Sequence, residues 1–204
     1  MDSFINIPTY LREYATNGRV KKDITSFSMV CSCGGTHFEV LRNRIEQEED
    51  DVHFGILGST SRIDKTGREY WQDYTFFGIP VGKRHYCDEM IIDPDVVKIK
   101  CLDCGEEIVV FHSKHHGYDG VCYQLNKQKY TMRCKADEDL EFYCARKKCG
   151  VIVEVRQDLP YAELEDEFGE KMSLDLYADL FGEIFIKGVS ADGKIRTIAC
   201  YETR

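Results

Sequence analysis

Cys31-Ser-Cys33-Gly34-Gly35 and Cys101-Leu-Asp-Cys104-Gly105 are two close cysteine pairs, each followed at once by glycine. Two thiolates that reach one ion at about 2.3 Å must come from a chain folded tightly around it. The residue after the second cysteine then tends to left-handed torsions, which glycine adopts without penalty. No histidine stands at ligand spacing beside either pair. The expected centre is therefore one structural, coordinatively closed Zn2+ held by the four thiolates of Cys31, Cys33, Cys101 and Cys104. The CxxCG pair is the more specific signal, because CxC constrains the geometry more tightly. Residues 34–100 separate the pairs by far more than the usual ribbon spacing, so this insertion must loop out of the ribbon's two hairpins. The competing reading is buried free thiols or a redox pair.

The chain carries ten cysteines. Its start, Met-Asp-Ser-Phe-Ile-Asn-Ile-Pro, has no basic region, long apolar run or small-residue cleavage site, which predicts a cytoplasmic protein. A reducing compartment moves paired cysteines away from disulfides and toward metal. Part of the plan recurs. Cys149-Gly150-Val-Ile-Val-Glu-Val echoes the segment after Cys33, and Gly188 to Ile195 echoes the second knuckle, with Val189 and Asp192 where its cysteines would stand. This predicts tandem zinc-ribbon-like modules, the second degenerate. Cys144 and Cys149 are candidates for a second metal if Cys122, Cys134 or Cys200 completes the set; the reading favours a single zinc, with the remaining thiols packed as small hydrophobes.

His112, His115, His116 and Asp119 invite comparison with a hydrolytic metal centre, but no HExxH-type spacing is present, and a polar turn is the better reading. His85, Cys87 and Asp88 are too close in sequence to present a nucleophile to a base. No phosphate-binding loop, dinucleotide fingerprint or nucleophile elbow appears. The expectation is a protein that is not an enzyme.

The elements that must position the knuckles follow from periodicity. Pro8 to Ala15 predicts a short amphipathic helix, with Tyr10, Leu11 and Tyr14 at helical spacing. Thr36 to Leu41, Val96 to Lys100 and Ile108 to Phe111 alternate as strands around the two knuckles, and Tyr70 to Phe77 forms an aromatic strand containing the only Trp. Residues 42–69, with the acidic run Glu46 to Asp51, read as loops and a hairpin. His116-Gly-Tyr-Asp-Gly120 reads as a turn that closes the first half. Short strands follow around Tyr130 to Cys134, Leu140 to Cys144 and Val151 to Val155, then a helix within Glu163 to Asp179 and a final hairpin over Ile184 to Lys187 and Ile195 to Cys200. The fold class is mainly β with a few short helices (α+β). The domains are 1–120, a ribbon module with a long insertion, and 121–204, a ribbon-like module with a degenerate metal site.

The CxCGGxxFEV, IKCxxCG and HGYDG motifs together resemble a group of small uncharacterised bacterial proteins carrying one or two zinc ribbons, and the likeness covers most of the chain as an order of motifs. In style these are similar to the small acidic cytosolic partners of bacterial toxins, so the resemblance implies an immunity role. The departures at Val189 and Asp192 set this chain apart from the two-ribbon pattern.

At 204 residues, 43% hydrophobic and 31% charged, the chain has ordinary globular composition, and no stretch approaches a membrane span. Its net charge of -9 opposes phosphate binding. Residues 151–204 are the acidic part, with six Lys/Arg against twelve Asp/Glu. The expected function is a non-catalytic protein-interaction module, an immunity protein covering a basic toxin. Its candidate partner-binding residues are Glu163, Glu165, Asp166, Glu167 and Glu170, with the Glu46 to Asp51 run as a second acidic surface. The alternative is a nucleic-acid-binding or transcription-associated ribbon using Lys127, Lys129, Arg133, Lys135, Arg146, Lys147 and Lys148. A metal-dependent hydrolase ranks third.

Overall fold

Alternation of apolar and polar residues builds most of the strands. In β2 (Ile24–Met29) it buries Thr25, Phe27 and Met29, and in β8 (Val96–Cys101) Val97, Ile99 and Cys101. Cys101 thus reaches the interior by the same period that packs the strand. The structure is a computed structural model that describes residues 6–43, 62–63, 69–76, 79–86, 91–92, 94–125, 133–134 and 139–203. The expectations on Glu46 to Asp51, on most of the loops and hairpin of residues 42–69, and on Cys87, Asp88, Lys127, Lys129 and Lys135 lie outside the described residues.

The chain is mainly β and divides into two compact units. The first comprises 1–44, 95–125 and 141–204; the second comprises 45–94 and 126–140. The contacts do not divide the chain at residue 120. The segment between the knuckles instead gathers 126–140 into a unit of its own.

In the first unit, β1 (Ala15–Lys21), β2, β11 (Phe142–Arg156), β3 (Phe38–Asn43), β8 and β9 (Glu107–His112) form a curled antiparallel sheet in that order, and β12 (Glu183–Val189) and β13 (Ile195–Glu202) branch from β11. The long β11 is the hinge of the design. Its first half pairs with β3, from Phe142 opposite Asn43 to Cys149 opposite Phe38, and its second half lies between β2 and β12. Register shifts flank Arg146, and such bulges bend and twist a strand, so one strand serves two ladders. The core between them collects Phe27, Phe38, Ile99, Phe111, Val153 and Ile186. A smaller cluster of Leu164, Met172 and Leu180 lies under the helices.

The expected first helix forms as a 3-10 helix, Thr9–Tyr14, with Leu11 buried. The acidic stretch forms two helices rather than one. Gly169 (φ +59°) ends α2 (Tyr161–Phe168), and Ser173 caps α3 (Leu174–Asp179) by accepting the Leu176 N–H. The final hairpin is present as β12 and β13.

The echo of the first knuckle at Cys149-Gly150 is one of sequence, since β11 continues as a strand through it. The reading of HGYDG as a closing turn is corrected, since Gly117 begins helix α1 (Gly117–Leu125). Its cause is long-range: the N–H of Tyr118 donates to Phe181 C=O and to Thr203 Oγ1, and the N–H of Asp119 donates to Thr203 C=O. A Cβ on Gly117 would lie 2.5 Å from Thr203 Oγ1, so glycine is required by close approach as well as by its φ of +75°.

In the second unit, β4 (Arg62–Ile63), β5 (Glu69–Phe76) and β6 (Ile79–Tyr86) form an antiparallel sheet, and β7 (Ile91–Ile92) pairs in parallel with β10 (Arg133–Cys134). Among the described residues no helix is long and apolar enough to cross a membrane.

Candidate metal centre

The first knuckle follows β2 and leads into β3; the second is the turn between β8 and β9. Pairing of β3 with β8 sets Phe38 opposite Cys101, which brings the end of the first knuckle against the start of the second. The Leu102 N–H donates to His37 C=O and closes the gap between them (3.0 Å). Each knuckle is a hydrogen-bonded turn ending in a left-handed glycine. In the first, Gly34 N–H donates to Cys31 C=O and Cys31 N–H to Gly35 C=O, with Gly34 at φ +85°. In the second, Gly105 N–H donates to Cys101 C=O and Cys101 N–H to Glu106 C=O, with Gly105 at φ +80°. These are the torsions that the glycine after each pair leads one to expect.

The four sulfurs lie within 4.8 Å of one another. Across the gap, Cys31 Sγ is 3.4 Å from Cys104 Sγ, and Cys33 Sγ is 3.7 Å from Cys101 Sγ. Thiolates at about 2.3 Å from a tetrahedral ion sit about 3.8 Å apart, so the cage has the dimensions of a four-sulfur site. Cys31 and Cys101 are buried, whereas Cys33 and Cys104 are exposed.

Backbone N–H groups favour the charged form of these sulfurs, although the Cys33 thiol, like that of Cys31, is raised overall, and the Cys104 thiol contributes to this. The Cys33 N–H points at Cys31, the Gly35 N–H at Cys33, and those of Cys104 and Asp103 at Cys101. Burial raises the Cys101 thiol, but the Cys104 and Asp103 N–H groups and the Cys31 and Cys33 sulfurs outweigh it and bring it down to about 7. Cys31 is raised instead, by burial first and then by donating to Glu106 Oε2 at 2.8 Å. Glu106 also accepts from Ser32 Oγ and Tyr14 OH, and these donors, the Cys31 thiol foremost, hold its carboxyl low. Four soft, clustered thiols suit zinc and other thiophilic ions better than hard cations.

Comparison of the chain with protein-family models, curated proteins and solved structures finds no match.

Among the described residues, the four cysteines are the only group of three or more side chains placed to hold a metal. Among the described residues, Cys144 and Cys149 are not part of a group of three or more side chains placed to hold a metal. They lie on β11 opposite Leu41 and Phe38, Cys144 exposed and Cys149 buried in the core. Cys122 packs in the helical cluster, and Cys200 is exposed on β13. In the turn between β12 and β13, Asp192 accepts from Ser190 Oγ and Lys194 N–H and pairs with Lys194 Nζ, while Gly193 turns at φ +78°.

The histidines build structure. His112 is buried and its Nδ1 accepts from Lys114 N–H; His116 Nδ1 accepts from His112 N–H, and its ring stacks on Tyr10 at 3.7 Å. Burial, then the charges of His112 and His115, bring His116 down to about 3. Half-buried His116 and exposed His115 line a cavity of about 400 Å³ with Tyr10, Leu125, Leu176 and Asp179.

Glu163, Glu165, Asp166 and Glu167 are exposed on α2 around buried Leu164, and Glu167 accepts from Tyr118 OH. Glu170 lies in the 3-10 turn Gly169–Lys171. Of the basic candidates, Lys148 is exposed on β11, which also carries Arg146 and Lys147, and Arg133 lies on β10.

The sequence reading missed Glu106, and it missed the second role of glycine in the first knuckle. A Cβ on Gly35 would lie 2.6 Å from Asp103 Oδ2 and 2.8 Å from Cys101 Sγ. The second glycine after CxC was the available signal: the first serves the turn, which leaves the second to serve close approach.

Proposed function

We propose that this chain is a cytoplasmic, non-catalytic protein-interaction module whose single structural zinc clamps the two knuckles, and that it acts as an immunity protein against a basic, nucleic-acid-directed toxin. The observation that carries the proposal is α2, which turns Glu163, Glu165, Asp166 and Glu167 to solvent while Leu164 alone is buried. None of Glu163, Glu165 and Asp166 has an ion-pair partner among the described residues. Glu163, Asp166 and Glu167 share one side of this helix and offer the charge that a phosphate-binding surface seeks, which would steer a cationic partner toward docking.

In this reading the zinc is scaffold. It ties together segments far apart in sequence, and its ligation energy is folding energy. The β12–β13 hairpin is then the metal-free copy of the β8–β9 hairpin. Both turn on a left-handed glycine, Gly193 and Gly105, and the Asp192 hydrogen bonds tie the turn that metal ties in the other.

The test is co-expression with a basic toxin encoded beside this chain, followed by association kinetics on the purified pair. Replacing Glu163, Glu165 and Glu167 with Gln and Asp166 with Asn should slow association by about tenfold or more at low salt, and the difference should shrink as salt screens it. Equal association rates for variant and parent would sink the acidic-face reading. Salt-sensitive binding to DNA or RNA would move the case to the nucleic-acid alternative.

A further inference from the structure

The two knuckles carry their sulfurs in a mixed arrangement. Each contributes one buried and one exposed cysteine, and the short distances run across the gap from exposed to buried. Exposed Cys104 lies 3.4 Å from buried Cys31, and exposed Cys33 lies 3.7 Å from buried Cys101. A peroxide-sensing thiol needs these two parts: a solvent-facing sulfur that an oxidant can reach, and a resolving sulfur held against it.

We propose that the four-cysteine centre is an oxidation site whose co-reactant is a small hydroperoxide, and that its product is a pair of disulfides across the knuckles, Cys31–Cys104 and Cys33–Cys101. The inference rests on the metal reading of the same residues. In the first step the exposed Cys104 thiolate attacks the peroxide. The O–O bond breaks, hydroxide leaves with its electron pair and is protonated to water, and a sulfenic acid remains on Cys104. The Cys31 thiolate then attacks that sulfur, the S–O bond breaks, and a second hydroxide leaves and is protonated. Two electrons pass from the sulfurs to one peroxide, two solvent protons are taken up, and one disulfide and two waters form. Each disulfide removes two thiolates from the ion, so a second peroxide at Cys33 and Cys101 frees the zinc.

The pairing has a structural consequence. A disulfide within one knuckle would leave the two knuckles untied once the metal left. A Cys31–Cys104 bond joins positions 73 residues apart, the same segments that the metal clamps. The two sulfurs already stand 3.4 Å apart, against a bond of about 2.05 Å. Oxidation therefore replaces a metal clamp with a covalent one, and the oxidised protein stays folded while its zinc becomes free.

The experiment uses the full chain, purified reduced, with zinc content measured first. Protein that binds no zinc overturns the metal reading and this inference with it. Zinc-loaded protein is then treated with hydrogen peroxide in the presence of a chromogenic zinc chelator. Disulfides are mapped by non-reducing peptide mass spectrometry, and thermal unfolding is followed in parallel. The proposal predicts release of the bound zinc, a Cys31–Cys104 link among the first products, and a melting temperature close to that of the zinc form and above that of reduced protein stripped by chelation. Restoration by dithiothreitol with added zinc is also expected. Retained zinc, links confined to Cys31–Cys33 and Cys101–Cys104, or irreversible sulfonic acids at Cys33 and Cys104 would overturn this inference and leave the metal reading standing.

Discussion

Replacing Gly35 with Ala tests the metal cage without touching a ligand. The added methyl carbon would stand 2.6 Å from Asp103 Oδ2, 2.8 Å from Cys101 Sγ and 3.3 Å from Cys33 Sγ. Asp103 can swing its carboxylate away, but Cys101 is held by β8 and its sulfur is one of the four proposed ligands. Ordinary contact begins at 3.4 Å, so the sulfur must yield by at least about 0.6 Å. Four-coordinate zinc tolerates distances within about 0.2 Å, and the knuckle must therefore distort. Disturbing the support of a ligand typically costs about ten- to a hundredfold in metal affinity, which is about 1.4–2.7 kcal/mol. Gly34→Ala is the control. It has φ +85° and nothing within 4 Å, so its cost is backbone strain of about 1–2 kcal/mol in stability, without a clash at sulfur. The assay is competition against a chromophoric chelator, with the thiolate-to-metal charge-transfer band of the cobalt-substituted protein as a second readout. A Gly35→Ala protein that binds zinc as tightly as the parent, with an unchanged cobalt spectrum, would refute the placement of the ion among these sulfurs.

Two further perturbations follow from the fold. His116 has its folded pKa depressed from 6.5 to about 3. Between those values the unfolded chain binds the extra proton, so its contribution to stability is full above pH 6.5 and is lost on acidification. From pH 6.5 to 5 the loss attributable to His116 is about 2 kcal/mol; denaturant unfolding of His116→Phe should show a correspondingly shallower acid slope, and an identical slope would contradict the assignment. Gly117→Ala forces a side chain to within 2.6 Å of Thr203 at φ +75°, and should cost about 3 kcal/mol in denaturant unfolding. A loss under about 1 kcal/mol would show that the Thr203 clasp is slack.

The clustering of the four cysteines was legible because it writes itself locally: two short spacings, two trailing glycines, and strands that alternate up to each pair. Strand periodicity likewise announced β3, β8 and β9 and the final hairpin. Two features were hidden for opposite reasons. Cys149-Gly150 carries the same letters as Cys33-Gly34, yet β11 runs through it, because pairing with β3 before it and with β2 and β12 after it outweighs the turn tendency of one glycine. HGYDG looks like a turn in one dimension, but it starts a helix because Phe181 and Thr203 accept its first N–H groups. Contacts from more than sixty positions away leave no local mark. The second unit was hidden too, since nothing in 126–140 says that it gathers with 45–94.

Zinc stoichiometry tests the central claim most directly, by elemental analysis of the native full chain, of Cys101→Ser and of Cys144→Ser. One zinc per chain is predicted in the native protein and in Cys144→Ser, and none in Cys101→Ser. No zinc in the native chain, or one that survives in Cys101→Ser, would contradict the four-cysteine centre, and two zincs would contradict the metal-free second hairpin.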